Sequence, residues 1–136
     1  MKTLAIVVPC YNEEETIHPF LKASQAVEKQ MANQLAFNYY FVNDGSKDKT
    51  LSVIKNLAKN DSRVKYISFS RNFGKEAAIY AGFQNCIGDY AVLMDADLQD
   101  PPHLLPEMYK AIVEEGYDSV ATRRVKIGRA SCRERV

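Results

Sequence analysis

The run Val92-Leu93-Met94-Asp95-Ala96-Asp97-Leu98-Gln99-Asp100-Pro101-Pro102 holds the densest chemistry in the chain. An apolar stretch that reads as a buried strand ends in two carboxylates spaced one residue apart. A carboxamide and a third carboxylate follow, and a proline pair then stops the strand. Carboxylates at the carboxyl end of a strand sit where open α/β sheets bind ligands. If the backbone there stays extended, Asp95 and Asp97 project to the same side and can share one hard divalent cation. Mg²⁺ takes a few carboxylates and keeps its other positions for water and phosphate oxygens. Taken alone, the string has a lesser reading as an acidic turn with an Asp capping a helix.

Similar polar groups follow every other apolar run. Pro9, Tyr11, Asn12 and Glu13 come after the first, Asp44 after the second, Arg71, Asn72 and Lys75 after the third, and Arg123 and Arg124 after the fifth. Asp44-Gly45-Ser46 alone would be a turn and a cap, and Glu13 to Glu15 alone a first helical turn favoured by the dipole. Their joint position at strand ends is what argues for one shared crevice. No GxGxxG or GxxxxGK[ST] loop is present, so phosphates would be held by a cation on Asp95 and Asp97 with basic side chains assisting. Tyr11 offers a face for a base, and Glu13 and Asp44 can accept hydrogen bonds from a base or ribose. This inventory suits a nucleotide-diphosphate donor. The cation would neutralise charge developing on the departing diphosphate.

Alternating elements would place these groups. Leu4 to Val8, Phe37 to Val42, Val64 to Phe69, Tyr90 to Met94 and Tyr117 to Ala121 read as strands, the first a continuous apolar run typical of burial on both faces. Between the first two, Asn12 with Glu15 suggests a capping box before a stripe of Ile17, Phe20, Leu21 and Val27. Asp48 or Ser46 would cap a helix bearing Leu51, Ile54, Leu57 and Ala58. Ala77, Ala78, Ala81 and Gly82 predict a third helix pressed close to the sheet, with Gly88 at its end. Pro102 opens a fourth, bearing Leu105, Met108, Ile112 and Val113. Strands joined by helices of this length predict a parallel sheet in a three-layer α/β/α domain.

Composition sets the outer bounds. The chain's 136 residues suffice for one core and not for two ordinary domains. With 46% hydrophobic and 26% charged residues it reads as globular. The formal charge is +1, but Lys126 to Val136 alone carries +3, leaving −2 elsewhere. The body is therefore not a basic nucleic-acid binder. Cys10, Cys86 and Cys132 are odd in number and show no zinc or CxxC spacing, which points to a reducing cytoplasm and small buried thiols. No secretory signal is expected, and no run reaches the roughly 18 to 20 apolar residues needed to span a bilayer. Lys126 to Val136 has neither helical nor strand periodicity and resembles a translated sequencing adapter. Residues 1–125 are thus expected to be an incomplete catalytic domain, and 126–136 a non-native, mobile and dispensable tail.

Four strings occur in order: Pro9-Cys10-Tyr11-Asn12-Glu13, Val42-Asn43-Asp44-Gly45-Ser46, Arg71-Asn72-Phe73-Gly74-Lys75-Glu76 and Asp95-Ala96-Asp97-Leu98-Gln99-Asp100-Pro101-Pro102. Together they resemble the family 2 inverting glycosyltransferases. The last two resemble in particular the polyprenyl-phosphate hexose transferases, the group of dolichol-phosphate mannose synthase and the bactoprenol glucosyltransferases. The resemblance implies the nucleotide-binding half of a GT-A, Rossmann-like domain. It implies that Pro9, Tyr11, Glu13, Val42, Asp44, Asp95, Ala96, Asp97 and Gln99 bind the nucleotide sugar. Asp95, Asp97 and Gln99 would surround Mg²⁺ or Mn²⁺, while Asp97 and Arg123 would serve catalysis.

The implied reaction moves a hexose from a UDP- or GDP-sugar to undecaprenyl or dolichyl phosphate with inversion, at the cytoplasmic membrane face. No nucleic acid takes part. Family members continue with further arginines and membrane-surface helices, so this chain resembles an N-terminal, donor-binding fragment. His103 stands where many relatives have an acidic residue and reads as an exposed helix start. One rival is a transferase of the same fold with a polysaccharide or protein acceptor. A phosphohydrolase or a Mg²⁺-binding receiver-like module would need its acidic residues after the first strand, where Glu13 does not supply them.

Overall fold

The computed structural model describes residues 2–97, 102–115, 119–121 and 126–129. Six strands form one sheet: β1 (Lys2–Cys10), β2 (Leu35–Asn43), β3 (Val64–Ser68), β4 (Tyr90–Leu93), β5 (Ser119–Ala121) and β6 (Lys126–Arg129). Their order is β3-β2-β1-β4-β6-β5. β1 to β4 pair in parallel, in registers that set Cys10 opposite Asn43 and Val7 opposite Leu93. The strand ends bearing Pro9, Asn43 and Leu93 therefore share one rim.

Four helices complete the domain: α1 (Ile17–Gln30), α2 (Thr50–Asn60), α3 (Lys75–Asn85) and α4 (Leu105–Glu115), the last preceded by a single 3-10 turn at Pro102–Leu104. Because β1 is buried on both faces, its residues alternate between two cores. Leu4, Ile6, Val8 and Cys10 meet Phe20, Ile54, Met108 and Ile112 of α1, α2 and α4 on one face. Ala5 and Val7 meet Phe83 and Cys86, at and just beyond the end of α3, on the other. This is the expected three-layer α/β arrangement. The small stripe works as anticipated, since a Cβ on Gly82 would stand 2.3 Å from Val7 Cγ1. Only a hydrogen at that position lets α3 lie so close.

Several local expectations are corrected. Asn12 does not cap α1, which starts at Ile17 with Thr16 before it and no side-chain cap. Instead Asn12 takes a positive φ of 52° and braces a neighbouring loop. α3 ends at Asn85 with Cys86 as its C-cap, rather than at Gly88. Cys86 is buried but disulfide-bonded, not a free thiol. Val113 is exposed rather than part of α4's buried stripe.

The largest difference concerns the last segment. Lys126–Arg129 form β6, antiparallel to both β4 and β5. The expectation of an unstructured tail from Lys126 is wrong for these four residues. An antiparallel strand inserted between two others is held by backbone pairing, which needs no side-chain periodicity. Because β6 runs against both neighbours, β5 runs with β4 and ends at the same rim.

Candidate functional site

The rim encloses a cleft of about 210 Å³. The turn after β1 contributes Pro9, Cys10, Tyr11 and Glu13, and the turn after β2 contributes Asp44. Asp95 and Asp97 come from the turn after β4, and Lys75 and Ala78 from the start of α3. Six of the sequence-predicted residues thus meet in one place. Val42 and Ala96 are fully buried and do not line the cleft. Gln99, Arg123 and Arg124 lie outside the described residues. His103 is exposed at the turn before α4, as expected.

Asp95 and Asp97 reach the cleft by a route the sequence did not suggest. β4 ends at Leu93, and Ala96–Asp97 form a turn instead of extended strand. Met94 still donates its N–H to Val7 O at 3.0 Å, which ties the start of this turn to β1. Buried Ala96 anchors the turn from below, so the flanking carboxylates face the cleft through its curvature.

The two loops after β1 and β2 are interlocked by short polar side chains. Asn12 N–H donates to Ser46 Oγ at 3.0 Å, and Lys47 N–H to Asn12 Oδ1 at 2.9 Å. Glu13 N–H donates to Thr50 Oγ1 at 2.8 Å, and Glu14 N–H to Asp48 Oδ2 at 3.4 Å. Asp48 also accepts from the Thr50 backbone N–H at 2.9 Å and from the Thr50 hydroxyl. Ser46, Asp48 and Thr50 therefore fix where Tyr11 and Glu13 stand. The expected capping of α2 by Asp48 or Ser46 is not found, since Lys49 precedes the helix without a side-chain cap. The signal in the sequence was three side chains able to bond backbone, at alternate positions. Tyr11 remains 42% exposed, leaving its ring available to a flat ligand. The Thr16 hydroxyl donates to Glu13 Oε2 at 2.7 Å, which restricts that carboxylate.

Asp44 is 3% exposed and fully engaged. Its Oδ1 accepts from Phe73 N–H at 2.7 Å and Gly74 N–H at 3.3 Å, and its Oδ2 from Asn72 Nδ2 at 3.2 Å and Gly74 N–H at 3.1 Å. Three donors of the Arg71–Gly74 loop thus hold both oxygens, the Gly74 N–H being shared between them, and take most of a carboxylate's acceptor capacity. Gly45, at φ 66°, lets that loop approach closely, since a Cβ there would stand 2.1 Å from Arg71 C. The loop carries the chain through Gly74, at φ 106°, into α3. It thereby delivers Lys75, whose Nζ lies 2.9 Å from Asp95 Oδ1. The sequence places Lys75 on the rim among basic side chains that would assist with phosphate, and its pairing with Asp95 comes only from the fold.

The cleft is electronegative. Glu13, Asp44, Asp95 and Asp97 line it against one ammonium, that of Lys75, among the described residues. Burial pushes the Cys10 thiol far above its ordinary value, and the Glu13 and Asp95 carboxylates push it further. Cys10 therefore stays a neutral thiol, donating to Val8 O at 3.4 Å, and is no nucleophile. The Lys75 side chain is 61% exposed and that of Asp95 21%. A pair this open contributes under about 1 kcal/mol.

The donor set fits a hard divalent cation. Among the described residues no three His, Cys, Asp or Glu converge as a complete cage. Mg²⁺ does not require one, because it keeps waters and substrate phosphates in its shell, and Mn²⁺ accepts the same oxygen donors. Four carboxylates would repel a diphosphate that arrived alone, whereas a cation on Asp95 and Asp97 would reverse the sign of that interaction. Pockets that enclose a ligand of drug size run to roughly 300–1,000 Å³, so this cleft is large enough for only part of such a ligand.

Comparison with known proteins bears on these observations. Residues 5–133 match Glycosyl transferase family 2. The chain is 50% identical over 129 residues to a putative glycosyltransferase, CsbB, of Bacillus subtilis, covering 92% of this chain and 37% of that protein. It is 38% identical over 125 residues to an undecaprenyl-phosphate 4-deoxy-4-formamido-L-arabinose transferase of Pseudomonas syringae, covering 91% of this chain and 36% of that protein. This chain thus spans little more than a third of the length of these relatives. A mannosyltransferase from Pyrobaculum calidifontis, in complex with GDP-Man and Mn²⁺, superposes with a TM-score of 0.75 at 17% identity, over 98% of this chain and 46% of its own. That likeness establishes the shared fold, of GT-A type. With a family match running from β1 through β6, and the four sequence motifs gathered on one rim, the chain belongs to glycosyl transferase family 2.

Proposed function

We propose that this chain is the donor-binding part of an enzyme that transfers a hexose from a UDP- or GDP-sugar to a polyprenyl phosphate, undecaprenyl or dolichyl, with inversion. The observation that carries the reading is the meeting of Pro9, Tyr11, Glu13, Asp44, Asp95 and Asp97 at a single cleft. The undecaprenyl-phosphate transferase among the relatives supports the acceptor, and the GDP-Man and Mn²⁺ complex supports a nucleotide-sugar donor with a metal.

On this reading Tyr11 stacks on the base, and Pro9 shapes the pocket floor beside it. Asp95 and Asp97, with Gln99, hold Mg²⁺ or Mn²⁺. When bound, that ion supplies Lewis-acid stabilisation of the leaving diphosphate. The acceptor phosphate is already an anionic nucleophile, so no general base is required. Its oxygen forms a bond to the anomeric carbon as the bond to the diphosphate breaks on the opposite face, which inverts that centre. Arg123 steadies phosphate charge at the acceptor edge. A lipid acceptor implies that the whole enzyme works at the cytoplasmic membrane face. Among the described residues of this chain, no helix is long and apolar enough to cross a membrane.

Calorimetry with UDP- and GDP-sugars tests the donor side. Binding is expected only with Mg²⁺ or Mn²⁺ and should weaken about tenfold or more in Asp97→Ala. Equal affinity in chelator, or in that variant, would remove the metal from the reading. For the acceptor, a full-length enzyme is given radiolabelled nucleotide sugar and lipid phosphate, and the products are extracted into organic solvent. Arg123→Ala should slow the labelling. Label confined to water-soluble products would transfer the assignment to a polysaccharide or protein acceptor.

A further inference from the structure

Lys75 is the one cation lining the cleft among the described residues, and it lies against Asp95, half of the candidate metal pair. Its backbone is tightly placed, because Asp44 binds both Phe73 N–H and Gly74 N–H immediately before it. Its side chain is mostly exposed, so a fixed root carries a mobile ammonium at the mouth of the site. A divalent ion binding Asp95 competes with that ammonium for the carboxylate. The displaced charge remains within reach of whatever anion the ion brings with it.

We propose that Lys75 is an exchanging cation. It neutralises Asp95 while the cleft holds no metal, and it turns onto the donor's diphosphate once a divalent ion takes Asp95. Metal and diphosphate then bind cooperatively: the ion frees Lys75, and the freed ammonium adds a charge-assisted contact available only to a phosphorylated ligand. A purely structural ion pair would show no such coupling. The diphosphate half of the proposal rests on the donor-binding reading above, whereas the exchange at Asp95 does not.

The test uses this chain with Lys75→Met, which keeps side-chain length and removes the charge, and with Lys75→Arg. Mn²⁺ affinity without nucleotide, measured by water-proton relaxation, should tighten several-fold in Lys75→Met because the competing ammonium is gone. It should stay near wild type in Lys75→Arg. Unchanged or weaker Mn²⁺ binding in Lys75→Met would overturn the exchange. With Mn²⁺ present, calorimetry should show UDP or GDP binding about tenfold weaker in Lys75→Met and largely restored in Lys75→Arg, with uridine or guanosine unaffected. Equal loss for nucleoside and diphosphate would overturn the phosphate contact and leave a structural lysine. If the wild-type chain binds neither UDP nor GDP in Mn²⁺, the donor-binding reading fails, and the Mn²⁺ measurement still decides the exchange at Asp95.

Discussion

At the scale of single residues, the cleft separates groups that stand available from groups already engaged. Tyr11 is open, but Asp44 is buried with both oxygens held by the Arg71–Gly74 loop. Asp44→Asn would set an amide NH₂ against N–H donors and strand at least one of them. Leaving a buried donor unpaired costs about 1–3 kcal/mol. A lowered thermal midpoint is therefore expected even without ligand, and an unchanged midpoint would return Asp44 to a role in ligand binding alone. Cys10 gives a second prediction. Its raised pKa means that folding favours the protonated thiol, so its contribution is fully present below the ordinary value of 9.0 and is lost as pH rises beyond it. In the folded chain at pH 8, iodoacetamide should leave Cys10 unmodified by mass spectrometry. Denaturant should expose it to alkylation.

At the scale of elements, close packing decides where α3 begins and what it delivers. The Cβ absent from Gly82 would meet Val7 Cγ1, a branched side chain with little rotamer freedom. Gly82→Ala should therefore lift α3 from β1 at a cost of about 1–3 kcal/mol, seen as a thermal midpoint lower by several degrees. Because Lys75 opens the same helix, Mn²⁺ affinity should change with it. A variant as stable as wild type would show that α3 accommodates a methyl group without moving.

At the scale of the whole molecule, β6 joins the edge strand β5 to the rest of the sheet. β5 pairs only with β6 among the described strands, and β6 also covers β4. Deleting residues 126–136 should expose the edge of β4, which supports Asp95 and Asp97, and lower the thermal midpoint by several degrees. An unchanged midpoint would restore the view of this segment as a dispensable tail.

The sequence by itself determined the layers and the rim. Continuous apolar runs such as Leu4 to Val8 permit little but strands buried on both faces, and polar residues clustered after each run must then gather at their carboxyl ends. The stripe ending in Gly82 likewise announced a close helix, because small side chains at helical spacing have few other uses. Tertiary structure decided what spacing does not encode. Asn12, Ser46, Asp48 and Thr50 could each cap a helix locally, and only the nearness of the β1 and β2 turns made them bond to each other's loops. Asp95 and Asp97 face one cleft through a turn rather than an extended strand, and Lys75 meets Asp95 across nineteen intervening positions of chain. Lys126–Arg129 became a strand because β4 and β5 left a place between them. Local propensity is set by neighbours in sequence. Partners for hydrogen bonds and charges are set by neighbours in space, and these exist only once the chain has folded.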